Sequence, residues 1–127
     1  MANGTIAFDT LQTSGQITGT AVSVDTDYLA YGSAKAWLHG NTSAVLQDSL
    51  NISSGNDDGT GEYTYTYTNN MTSTGLYSAT TGAQTSGNNL SNPRNITSST
   101  VVIHIHVANS GSANDNNHFA QVAGDLA

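Results

Sequence analysis

The chain has 127 residues and no cysteine, so it is a single domain of ordinary size that can bury one modest core. Only Lys35 and Arg94 are basic, against nine acids, and the net charge is −7. That balance excludes a nucleic-acid binder, which needs a basic face to displace counterions from phosphate, and it argues against docking on an anionic membrane.

The polar mass is uncharged: Thr, Ser, Asn and Gly make up 60 of the 127 residues, with a single proline. Disordered chains carry more charge and more proline. Threonine, tyrosine, valine and isoleucine favour strands, while glycine and asparagine favour turns, so the composition reads as all-β. The lack of cysteine excludes a disulfide scaffold and a thiolate zinc site. The first residues show no basic region followed by an apolar one, and no apolar run approaches the roughly 20 residues of a bilayer span. The expectation is a soluble protein made in the cytoplasm of a cell.

In chain order, residues 1–30 read as an arm. Short strands are expected over 5–8 and 17–24, but the segment has too few large apolar groups to form a core alone. The globular part spans 31–127. Residues 33–38 alternate, with Lys35 and Trp37 on one face and Ala34, Ala36 and Leu38 on the other. Residues 43–52 form a further strand. The stretch 54–61, with Gly55, Asn56, Asp57, Asp58, Gly59 and Gly61, reads as the clearest turn in the chain. Tyr63-Thr64-Tyr65-Thr66-Tyr67-Thr68 has period two and must be a strand with an aromatic face and a threonine face. Residues 76–79 form a short strand, 80–95 are turn-rich and carry Pro93, 96–107 form a long strand and 119–126 close the chain. About eight strands without a helix predict an antiparallel β-sandwich, jelly-roll-like, with an extended N-terminal arm.

Several motifs stand in a telling order. Ala34-Lys35-Ala36-Trp37 is followed by Asp48-Ser49-Leu50-Asn51-Ile52-Ser53. Asp58-Gly59-Thr60-Gly61-Glu62-Tyr63-Thr64 comes next, with Met71 after the strand and Gly124-Asp125-Leu126-Ala127 at the end. This order resembles a family of short fibre-like virion proteins of tailed bacteriophages, common in phages of marine bacteria. The chain departs from that pattern where Leu38-His39-Gly40-Asn41 replaces an Asn/Gly-rich turn and where Thr72 replaces a proline. Residues 75–117 have no counterpart in it. The resemblance implies a structural or host-contacting virion protein that forms trimers and has no catalytic residues to carry over.

The candidate chemistry is sparse. His104 and His106 point the same way on a strand whose other face is Val101, Ile103, Ile105 and Val107. Across a threefold axis, three such pairs would gather six imidazole nitrogens, a set suited to an octahedral transition-metal ion; phage fibres of the resembled kind use such pairs. The competing reading is two polar side chains on a half-exposed strand. Asn56, Asp57 and Asp58, like Asn114 to Asn117, fit turns better than a calcium loop. Glu62 is the only glutamate, and no nucleophile elbow or phosphate loop occurs, so an enzyme is not expected. Tyr63, Tyr65 and Tyr67, together with Trp37, are the candidates for contact with a glycan or another subunit. For the tyrosines, core or interface is the favoured reading.

The resulting expectation is a non-enzymatic virion surface protein, synthesised in the host bacterial cytoplasm. It is a homotrimeric fibre or knob module that adheres to host-surface polysaccharide and is anchored to other virion proteins through residues 1–30. A capsid decoration protein and a carbohydrate-binding module are the alternatives. No resident cofactor is expected, a transition-metal ion at His104 and His106 being the one candidate.

Overall fold

The computed structural model describes residues 32–74, 77–84 and 87–127. The expected arm and its two strands lie outside the described residues. Eight strands are present: β1 (Ala34–Gly40), β2 (Leu46–Leu50), β3 (Ile52–Gly59), β4 (Glu62–Tyr67), β5 (Tyr77–Gln84), β6 (Asn89–Arg94), β7 (Thr100–Val107) and β8 (Asn117–Gly124). They form two four-stranded antiparallel sheets, the first in the order β2-β1-β8-β5 and the second in the order β3-β4-β7-β6. The chain is therefore an all-β sandwich. β1–β2, β3–β4 and β6–β7 are the hairpins, while β8 returns to pair with β1 and β5, and β7 lies between β4 and β6.

Period-two alternation decides what lies between the sheets. Tyr63, Tyr65 and Tyr67 of β4 point inward and pack beside Val101, Ile103 and Ile105 of β7, while Thr64 and Thr66 point outward. From the first sheet Ala36, Leu38, Ala120 and Val122 meet them, with Met71 closing the layer. The two tyrosines Tyr63 and Tyr65 are the largest fully buried side chains, and they carry much of the apolar burial of a core with few phenylalanines.

Two sequence expectations fail for tertiary reasons. The stretch 54–61 is mostly strand β3, and the turn is confined to Thr60 and Gly61, flanked by Gly59 at φ 134° with Gly61 at φ 71°. Gly55 lies opposite Tyr65, where a Cβ would stand 2.6 Å from the ring and 2.2 Å from the Ala44 carbonyl. Glycine is thus required by the thickness of the core, and not by a turn. Likewise the turn-rich 80–95 contains the end of β5 and all of β6. Pro93 is tolerated because β6 is an edge strand.

Asn51 marks the crossing from the first sheet to the second. It has φ 57°, and its amide donates to the carbonyls of Lys35 and Asn69 (3.1 Å each) while its Oδ1 accepts from the Asn69 N–H (2.7 Å). Asparagine suits both demands, since it tolerates left-handed backbone and offers both a donor and an acceptor.

Candidate functional site

A buried polar cluster fixes one end of the sandwich. His118 of β8 points inward and is fully buried. Its Nδ1 lies 2.8 Å from the Asn116 carbonyl, which can only accept, so Nδ1 carries the proton. Nε2 is then the acceptor for the Tyr65 hydroxyl at 2.7 Å. The Tyr63 ring stacks on the imidazole with centroids 4.1 Å apart. The Tyr63 hydroxyl donates to Asp115 Oδ1 (3.1 Å), which also accepts the Gly61 N–H (2.7 Å). Burial holds the His118 imidazole below its ordinary range and pushes the Tyr65 and Tyr67 hydroxyls up. Tyr63 is raised to about 12, by burial first and by Asp115 after it. The Tyr65–His118 pair is turned into the core and Asp115 closes the cluster at the exposed rim, so the cluster anchors the Asn-rich 114–117 loop.

This placement corrects one expectation. Tyr63, Tyr65 and Tyr67 are at most 3% exposed and cannot touch a glycan or another subunit. Their strand is central in its sheet, so its apolar face is the one that must be covered by the opposing sheet.

His104 and His106 lie on the outer face of the second sheet, with ring centroids 5.4 Å apart and stacked. Glu62 stands opposite His104 on β4 and Asn92 opposite it on β6. Among the described residues no group of three His, Cys, Asp or Glu is placed to hold a metal ion. Among the described residues the pair therefore offers two imidazoles with no third such ligand grouped beside them. The acidic turn residues are held internally: Asp58 accepts from the Thr64 hydroxyl and the Asn56 amide (2.5 Å each), and Asp57 from the Gly59 N–H (3.1 Å).

The open chemistry lies on the outer face of the first sheet. Its two central strands, β1 and β8, present Trp37 and His39, and Phe119 and Gln121, respectively. Leu50 of β2 stands opposite Trp37, and Thr80 of β5 opposite Gln121. Phe119 is 50% exposed and Leu50 48%. Trp37 and Phe119 are diagonal neighbours, a separation of roughly 7–8 Å that aromatic side chains reach across. They line an open depression of about 720 Å³, together with Thr80, Gln84 and Gln121.

The face is preset by its neighbours. Gly82 lies opposite Phe119, and a Cβ there would stand 2.2 Å from the ring, so the phenyl lies flat on bare backbone. His39 Nε2 and Gln84 Oε1 meet at 3.2 Å, reaching across β8 from the strands on either side.

Of the four expected contact residues, only Trp37 is on this face. Phe119, Gln121, His39 and Gln84 were missed, although alternation in β8 pointed to the first two: His118, Ala120 and Val122 face inward and leave Phe119 and Gln121 outside. Comparison with protein families, with curated proteins and with solved structures finds no match for this chain.

Proposed function

We propose that the chain is a non-enzymatic structural protein of a bacteriophage particle. It forms a homotrimeric module at the virion surface that contacts the host cell. The order of motifs from Ala34 to Tyr63 and at the C-terminus supports the virion setting. The observation that carries the adhesive role is the outer face of the first sheet, where Trp37, Phe119 and Leu50 meet solvent on a sheet whose other residues are mostly small and polar. Large apolar groups left outside a small core mark a surface for contact. The two histidines of β7 lie on the opposite outer face, where copies of the chain can meet around a threefold axis.

Quantitative mass spectrometry of purified particles tests this reading, together with light scattering of the isolated chain. Particles carrying a few trimers each, and a threefold native mass, are the expected results. Tens to hundreds of chains per particle would favour a capsid decoration protein. Absence from the particles would refute the virion role and leave a free binding module.

A further inference from the structure

We propose that the depression between Trp37 and Phe119 is a binding site for neutral hexopyranose units of a bacterial surface polysaccharide. The inference rests on the adhesive reading above and specifies its ligand.

Its first support is the match of surfaces. A pyranose ring has one apolar C–H face and a rim of hydroxyls. The depression offers two aromatic side chains on adjacent central strands, surrounded by Gln121, Gln84, Thr80 and His39. Aromatic faces take the apolar side of the ring, while amides and a hydroxyl both donate to and accept from its rim. Few polar groups around an apolar floor is the usual make-up of a small-molecule site.

Charge argues in the same direction. The lining contains no Lys, Arg, Asp or Glu. Inside the depression an anionic sugar or a phosphate would meet no lysine or arginine and a basic peptide no carboxylate, Asp48 and Lys35 standing on the same face outside the lining. Neutral hydroxyls need neither.

Size argues against a second copy of the chain. A stable protein interface takes about 20–30 residues a side. Here the apolar part of the face is Trp37, Phe119 and Leu50, set among Asp48, Lys35, Gln121, Thr80, Ser78 and Gln84. Order argues for a preformed site. Phe119 is seated on Gly82, and the His39–Gln84 contact fixes the polar rim, so less freedom is lost on binding.

Trp37 is the only tryptophan in the chain, so its emission reads the site without a label. The full chain is titrated with maltohexaose, laminarihexaose, cellohexaose and mannohexaose. At least one is expected to change the emission saturably, with a Kd of about 0.1–10 mM, as for a shallow single-site contact. Phe119→Ala and Gln121→Ala, both at exposed positions, should each weaken that response about tenfold while the melting temperature stays near that of the parent.

No response to any of the four saccharides overturns the site. A response untouched by both substitutions overturns it too. Emission that follows chain concentration and ignores saccharide would make the face an interface between copies, and also overturns it. The virion reading fails separately. A chain that binds saccharide but is missing from particles keeps the site and loses the particle. A stoichiometric particle protein that ignores all four saccharides keeps the particle and loses the site.

Discussion

Replacing Gly40 with alanine is expected to destabilise the fold severely. Gly40 ends β1 with its α-carbon facing the core. A Cβ built there stands 2.0 Å from the Tyr65 hydroxyl oxygen, 2.8 Å from His118 Nε2 and 3.0 Å from Tyr65 Cζ. Neither ring can give way, because both are fully buried, they pack against each other, and Tyr63 stacks on the imidazole. The methyl therefore separates the hydroxyl from the imidazole. Leaving that pair buried and unsatisfied costs about 1–3 kcal/mol. Forcing the methyl into a filled core costs about 1–3 kcal/mol more. The smaller backbone entropy of alanine in the unfolded chain offsets only about 0.4–1 kcal/mol. The net loss is roughly 1–5.5 kcal/mol, a large share of the 5–15 kcal/mol that holds a typical domain. Urea melts followed by the Trp37 emission measure it. A double-mutant cycle with Tyr65→Phe gives a sharper test. Phenylalanine lacks the oxygen that clashes, so Gly40→Ala should cost far less in that background. A Gly40→Ala loss below about 0.5 kcal/mol, or equal losses in both backgrounds, would refute the steric argument.

Gly82→Ala should behave differently although its clash is as close. The methyl would push Phe119, which is half exposed and can swing into solvent, so stability should change by less than about 1 kcal/mol while the saccharide response of Trp37 falls. Asn51→Ala removes three hydrogen bonds and places alanine at φ 57°, for an expected loss of about 2–3 kcal/mol. Asn51→Gly keeps the backbone free, so in chemical melts it should lose less than alanine does. Acid should destabilise the fold. His118 is held below 6.5 when folded, so the unfolded chain takes up the proton first and stability falls as pH drops below about 6.5. His118→Gln should flatten that acid slope in melting temperature against pH. Alkali acts with the opposite sign. The core tyrosines are raised above 10, with Tyr63 at about 12, so the unfolded chain loses its protons first. Their stabilisation is complete below pH 10 and is lost as pH climbs towards 12, which a thermal series over that window checks.

Strand character was legible wherever alternation was strict. Six residues of Tyr-Thr repeat determined β4 and its two faces, and Val101, Ile103 and Ile105 did the same for β7. Such patterns are local, because successive side chains on an extended chain point to opposite sides whatever lies beyond. Alternation does not say which face another sheet will cover. For Tyr63, Tyr65 and Tyr67 the choice between core and contact surface came from β4 being central in the second sheet, with the first sheet packed over its aromatic side. Gly55 was misread for a related reason. Gly55 and Gly40 stand where another chain segment comes too close for a side chain, and closeness between residues distant in sequence is not written in either neighbourhood. The candidate site has the same origin. Trp37 and Phe119 are 82 positions apart in the numbering and become neighbours only because β8 pairs with β1 in one register. A register shifted by one residue would send Phe119 into the core and His118 out of it, so the pairing of the first and last strands decides both the buried cluster and the open aromatic face.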